Sequence, residues 1–415
     1  MINRFKKIYR TVFYIFLPRV LACVAKEKST QPLQYLADGD RPTFFGYHDK
    51  TPFSHDGTKI LAMSIAASDT RPDSECSEMR LGYFEKADRG FADRFVPFST
   101  TTTWCWQQGC MLQWLPDREN QAIFNDLVEG SYGSKVFDLI TNSVVKSYRS
   151  PVYAISPTGR LATTLNFSRL GRLRPGYGYG LLPDTTEGID APEDDGLFIL
   201  DLETGETRLV VSLKQLSEMA GNSKGEHYIN HATFSPDGKT ISFFHLWLEP
   251  SKKRHVRLIV YHVEQAELAI MESTRSVSHY CWLDNKGLLV TTKEASGKRQ
   301  ITVYDATHLN MCDVFLMGKS DTHPMLHPKM ADSVLCDSYP VGFGRRQYLY
   351  LFDLKERNMK EFAWFYSPPE FTGQVRCDLH PRWDREGDFL VVDTAARGVR
   401  KLAIVALKSR SAWLK

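Results

Sequence analysis

A chain that repeats one turn motif seven times has few folds open to it, and this chain does so. The motif reads aromatic or apolar, Ser or Leu, Pro, Asp, Gly. Its clear copies are Phe53-Ser54-His55-Asp56-Gly57, Trp114-Leu115-Pro116-Asp117, Ile155-Ser156-Pro157-Thr158-Gly159 and Phe234-Ser235-Pro236-Asp237-Gly238. Looser copies begin at Trp282, Leu326 and Trp383. The starts at 53, 114, 155, 234, 282, 326 and 383 give steps of 61, 41, 79, 48, 44 and 57 residues. Each copy precedes an alternating apolar run such as 240–244 or 389–392, the pattern of a strand entered through a tight turn. A second pattern falls in the same units: an apolar strand, Asp, a short polar turn and another strand, as at 136–142, 197–205, 301–305 and 349–354. Seven turns and seven outer hairpins predict an all-β, seven-bladed β-propeller of four-stranded antiparallel blades.

The 79-residue step predicts an insertion over about 166–193, whose text LNFSRLGRLRPGYGYGLLPD has no strand alternation. Such an Arg/Gly/Tyr-rich loop is expected on one face of a propeller, where binding sites gather. A short helix is expected around 212–219, and no long amphipathic helix elsewhere, which disfavours an α/β fold. The propeller is expected over 39–415, preceded by a basic and apolar arm or helix over 1–38.

That arm carries Arg4, Lys6, Lys7 and Arg10 before an apolar stretch, 12–17, which Pro18 and Arg19 interrupt. The stretch is too short for a membrane span and shorter than an ordinary signal-peptide core. A terminal helix or arm is expected, with a membrane-surface anchor and secretion as the alternatives. Eight cysteines without a paired CxxC motif favour reduced thiols and the cytoplasm over the periplasm or the exterior. A net charge of +3 over 415 residues argues against nucleic acid as a partner, and a monomer is expected.

Polar clusters precede the turns in every blade: Phe45-Gly-Tyr-His-Asp-Lys50, Trp104-Cys-Trp-Gln-Gln-Gly109, Tyr153, His227-Tyr-Ile-Asn-His231, Ser278-His-Tyr280, Asp321-Thr-His323 and Arg376-Cys-Asp-Leu-His380. One cluster per blade at the same relative place predicts convergence on one site. Each member also has a plainer role, since buried polar groups mostly serve by being hydrogen-bonded. Asp378 and His380, two apart, would point to one side of a strand. With His279 and His323 they form a candidate N/O site for Zn²⁺ or Mn²⁺. His48, Gln108, Asn125, His227, Asn230 and Arg376 are candidate substrate-binding groups, with Arg172, Arg174, Tyr177 and Tyr179 of the insertion. No P-loop, HExxH or Gly-x-Ser-x-Gly motif occurs.

The His-Pro-Arg-Trp text of His380–Trp383 and the repeated Phe-Ser-Pro-Asp-Gly resemble the propeller polysaccharide lyases: oligogalacturonate lyases, ulvan lyases and rhamnose–glucuronate lyases. The resemblance implies β-elimination on a uronic-acid glycan, an acidic partner. The ulvan-lyase type pairs a tyrosine with an arginine sixteen residues on, the spacing of Tyr153 and Arg169 here. It also uses two upstream histidines. The nearer position is Gln108 here, and the farther falls at 85–88, which holds no histidine. The His-x-His metal pair of oligogalacturonate lyases corresponds to Asp378 and His380. Chemically, Tyr153 would act as base or acid with His231 as partner, and Arg169, Arg172, Arg174 or a metal would neutralise the uronate carboxylate. Tyr177 and Tyr179 would stack on sugar faces. The alternatives are a non-catalytic glycan- or protein-binding propeller, or an accessory enzyme of surface-glycan assembly.

Overall fold

The computed structural model describes residues 26–69, 77–221, 223–316 and 320–407. The repeated turn is built alike in the first and fourth blades. In the first blade Ser54 Oγ donates to Asp56 Oδ1 (2.6 Å) and accepts from the Lys59 amide (2.9 Å), while Gly57 takes φ 66°. In the fourth, Ser235 Oγ donates to Asp237 Oδ1 (2.6 Å) and accepts from the Thr240 amide (3.0 Å), with Gly238 at φ 73°. The Ser and Asp oxygens replace the ladder partners that the turn removes, and Gly supplies the left-handed residue.

Around these turns the chain forms a seven-bladed β-propeller of antiparallel sheets. The first blade runs Thr43–Phe44, Lys59–Ile65, Met79–Glu85 and Val96–Thr101; the second, Gln113–Trp114, Gln121–Val128, Ser131–Asp138 and Ser143–Tyr148. The third is Ala154–Ile155, Leu161–Thr164, Gly196–Asp201 and Thr207–Ser212, and the fourth Glu226–Phe234, Thr240–Leu248, Arg254–His262 and Glu267–Glu272. The fifth is Ser276–Trp282, Gly287–Lys293, Arg299–Asp305 and Asn310–Leu316. The sixth, Met325–His327, Met330–Asp337, Arg346–Asp353 and Asn358–Tyr366, gains Glu27–Ser29 as a fifth strand. The seventh takes its outermost strand, Leu33–Leu36, from the amino-terminal side to join Arg382–Trp383, Phe389–Thr394 and Lys401–Ala406.

Those two early strands correct the expected arm over 1–38: Lys28 pairs with Trp364 and Tyr35 with Ala403. The basic and apolar residues of the arm lie outside the described residues. No helix among the described residues is long and apolar enough to cross a membrane.

The chain divides into two compact units. The first comprises Met1–Thr70, Gly82–Val96 and Met317–Lys415, and holds the sixth and seventh blades. Its core packs Leu335, Leu349 and Phe365 with Leu379, Trp383 and Val392. The second comprises Arg71–Leu81 and Pro97–Leu316, and holds blades two to five. There Leu115, Ile123 and Val136 pack with Ala162 and Leu200.

The insertion belongs to the second unit and contains a helix. Residues Phe167–Leu173 form a helix, α1, capped by Asn166, whose side chain accepts from the Arg169 amide (2.9 Å). A second short helix, α2, spans Leu213–Glu218 where a helix was expected. The glycines of GYGYG explain how the insertion packs. A Cβ on Gly178 would lie 2.2 Å from the Gly171 nitrogen, so only glycine lets the 176–180 segment lie on α1. Tyr179 then stacks on Phe167 at 4.4 Å and 7°.

Candidate metal centre

In the first unit, His323, Asp378 and His380 bring one ligand atom each within 4.8 Å of one another, and all three are buried. Asp378 and His380 meet as expected, but not through strand geometry. Neither is in a strand, and His380 sits in the left-handed region at φ 43°. Such a conformation in a non-glycine residue is held by its surroundings. Here the His380 amide donates to Asp337 Oδ2 (3.2 Å), and its ring Nδ1 lies 2.7 Å from the Gly46 carbonyl. A carbonyl only accepts, so Nδ1 carries the proton and Nε2 presents its lone pair. His380 Nε2 is buried, has no hydrogen-bond partner among the described residues, and lies 3.9 Å from Asp378 Oδ2.

His323 is oriented likewise. Its Nδ1 lies 2.9 and 3.0 Å from the Asp337 carboxylate oxygens, which also accept from the amides of His323 and His380. Asp337, the last residue of Met330–Asp337, thus fixes both histidines, the carboxylate–histidine arrangement that orients metal ligands. The two rings stand at 83° with centroids 4.4 Å apart. Burial depresses the His380 pKa well below the ordinary histidine value, helped by His323, Arg382, His48 and Arg376, so its imidazole is neutral. Burial also opposes charge on His323, but Asp337, Asp378 and Asp321 together outweigh it and the pKa is raised.

The floor is rigid. Asp393 accepts from the amides of Phe45 and Gly46 (3.1 Å each) and pairs with the buried Arg382 (2.9 Å). Arg382 also donates to the carbonyls of Gly46 and Tyr47. This places the His48 ring 5.2 Å from His323 and 6.2 Å from His380, with Tyr47 4.8 Å from His380. Arg376 Nε donates to Asp378 Oδ2 (2.6 Å) while 26% of its side chain stays exposed. His279, expected as a fourth ligand, is not in the cluster. It lies in the second unit, where its amide donates to Thr291 Oγ1 (3.0 Å).

The remaining expected site residues fall in the second unit, and most have structural work there. The Tyr153 hydroxyl is fully buried, donates to Asn230 Oδ1 (2.9 Å), and accepts from Gln108 Nε2 and the His231 amide (3.0 Å). His231, at φ 56°, lies edge-on to Tyr177 and Phe244. The expected base and its partner therefore form a sealed hub, not an open catalytic pair. Arg169 corrects the expected uronate clamp. It is 1% exposed, and its five N–H groups meet the carbonyls of His227, Thr186, Ile189 and Asp190 and the Thr186 hydroxyl. That uses every donor to fold the insertion. Arg172 forks between Asp184 and Glu226.

Tyr177 and Tyr179 are 2% and 1% exposed, which removes them as sugar platforms, and Arg174 lies over the Tyr177 ring at 4.1 Å. Asn125 bridges the Val152 carbonyl (2.8 Å), the Val152 amide (2.7 Å) and the Tyr179 hydroxyl (2.8 Å). His227 lies 2.8 Å from His245 and 2.9 Å from the Ser223 carbonyl. Asp337, Asp393 and Arg382 were missed as site residues. Asp337 reads as an ordinary strand end, and Arg382 as part of a turn.

No protein-family model matches the chain, and no curated protein matches it by sequence. Its fold is similar to solved structures. An oligogalacturonate lyase in complex with manganese aligns with a TM-score of 0.66 and 14% identity, over 93% of this chain and 95% of that one. An oligogalacturonate lyase from Vibrio parahaemolyticus aligns with a TM-score of 0.62 and 14% identity, over 93% and 99%. A chain of a mitotic checkpoint complex gives 0.52 and 8%, over 93% and 94%. Likeness at these identities is one of fold.

Proposed function

We propose that this propeller is a metal-dependent lyase acting on a uronic-acid-containing glycan by β-elimination. The observation that carries the reading is the buried trio His323, Asp378 and His380, with the His380 Nε2 lone pair turned to Asp378 and both rings fixed from behind. Two neutral-capable imidazoles and one carboxylate suit Mn²⁺ or Zn²⁺. The residues present fit such an ion, and the manganese complex of a propeller of the same fold supports the choice.

A divalent ion held there would neutralise the uronate carboxylate and so acidify the C5 proton beside it. The chain's own residues supply the rest. Arg376, anchored on Asp378 and partly exposed, pairs with a carboxylate oxygen of the substrate. His48, the imidazole beside the ligands, is 2% exposed, so it takes the C5 proton through a relaying water and not by contact with the sugar. The C5–H electron pair forms the C4=C5 double bond as the C4–O bond breaks, and the departing oxygen gains a proton from solvent. Asp337 and Asp393 hold ligands and floor in place and touch no substrate.

The test is ultraviolet detection of unsaturated uronate from oligogalacturonate and other uronate oligomers, with Mn²⁺ supplied. Product that disappears on chelation, in His380→Ala and in His48→Gln is expected. Binding of the oligomers with no product under any metal would replace the lyase with a glycan-binding propeller.

A further inference from the structure

Within the second unit, a cavity of about 310 Å³ opens between the third blade and the folded insertion. Its walls include Thr164, Asn166, Thr186, Asp194, Asp195 and Phe198, and none of its eleven lining residues is Lys, Arg or His. Two carboxylates without a cation in the wall repel a uronate, so the pocket does not suit the acidic sugars proposed for the metal centre. A neutral ligand with many hydroxyls suits it well. Carboxylates accept from sugar hydroxyls, the amide and threonines supply both donors and acceptors, and the half-buried Phe198 ring offers a face for sugar C–H groups. The volume sits at the small end of ligand pockets, about 300–1,000 Å³, the scale of a single sugar unit.

The wall is set before any ligand arrives. Asp195 is 5% exposed and accepts from Asn166 Nδ2 at 2.9 Å. Asn166 is itself locked as the cap of α1. Thr186 is held by Asp184 (2.7 Å) and by Arg169 (3.0 Å). Burial holds the Asp195 pKa above the usual carboxylate value, although Asn166 and Arg169 pull it down. A carboxyl of that kind sits in a site for hydroxyls more readily than in one for anions. Fixed partners of this sort cut the ordering cost of binding a small ligand.

We infer that this pocket is a binding site for a neutral monosaccharide unit, with Phe198 as its stacking face and Asp194 and Asp195 as its hydroxyl acceptors. It is independent of the metal centre and needs neither ion nor turnover. The experiment is saturation-transfer NMR and titration of the full chain, without added metal. The probes are the methyl glycosides of galactose, glucose, mannose and rhamnose, with galacturonate as the charged control. At least one neutral glycoside is expected to bind in the millimolar range, and about tenfold more weakly in Phe198→Ala and in Asp195→Asn. Asp194→Asn, at an exposed position, keeps the test valid if Phe198→Ala fails to fold. Absence of binding by all four neutral glycosides at about 10 mM overturns the inference. So does affinity unchanged from the parent in both Asp194→Asn and Asp195→Asn, or binding by galacturonate alone.

Discussion

His380 and His231 are buried histidines at matching places in the seventh and fourth blades, each held in the left-handed region, at φ 43° and 56°. Their surroundings differ. Around His380 a carbonyl takes Nδ1, a carboxylate stands 3.9 Å from Nε2, and a second histidine faces the same space. Around His231 the partners are an amide and a phenol, with aromatic rings on its edges. Repetition of a fold puts like residues in like places, but the neighbours decide whether a ring is a ligand or part of a packed hub.

The comparison breaks most forcefully at Arg169. If the second-unit cluster is structural, Arg169→Ala strands four carbonyls and two nearby carboxylates, Asp184 and Glu226 (4.0 Å each). Loss of a buried charged partner costs about 3–5 kcal/mol. Chemical denaturation should show that loss while bound metal per folded chain is unchanged. Loss of metal without loss of stability would tie Arg169 to the site.

His380→Ala should do the reverse. Manganese affinity, read by titration and elemental analysis, should fall about 100-fold or more, equivalent to about 2.7 kcal/mol. His231→Ala should leave stoichiometry untouched. A metal content equal in parent and His380→Ala proteins removes the trio as ligands.

Tyr153→Phe comes next. It keeps the ring on Phe167 but removes one of the two donors to Asn230 Oδ1 and the acceptor of Gln108 Nε2, while the His231 amide still donates to Asn230 Oδ1 (2.9 Å). The cost should be about 1–2 kcal/mol in thermal unfolding, with the proposed uronate turnover intact. Lost turnover at full stability would restore Tyr153 to the chemistry and overturn the division between the two regions.

The propeller was legible because its signal is local: in the first and fourth turns Ser and Asp close hydrogen bonds within five residues, with Gly beside them. Part of the site was legible for the same reason, since the residues leading blades six and seven supply His323, Asp378 and His380. The rest depends on contacts distant in sequence. Asp337 orients His380 from 43 residues away, and nothing in the text around it marks it as more than a strand end. The insertion misled because arginines and tyrosines beside glycines resemble an exposed binding loop. The glycines were the better clue: Gly171 and Gly178 are small because two backbones touch there, and such contact buries the tyrosines beside it.

The smallest effect sharpens the comparison through a carboxylate. Glu272, at the end of the fourth blade, accepts from the Thr274 amide (2.6 Å) and hydroxyl (2.7 Å), the Arg275 amide (3.0 Å) and guanidinium (2.9 Å), and the Tyr304 hydroxyl. Burial alone would raise its pKa, but the donors from Tyr304, Thr274 and Arg275 win, and it falls from 4.5 to about 2. A carboxyl depressed on folding stabilises the native state fully above its unfolded value, and that contribution fades as pH falls through the folded value. Stability should therefore be flat in this respect above about pH 5 and decline between about pH 4.5 and 2. Its partner Arg275 is 27% exposed, so solvent screening keeps the effect at about 1 kcal/mol. Glu272→Gln should flatten that part of the acid limb while lowering stability at pH 7, since an amide cannot accept from so many donors. Denaturant midpoints across the range, parent against variant, measure it. An unchanged acid limb in Glu272→Gln would mean that the five donors do not hold an ionised carboxylate.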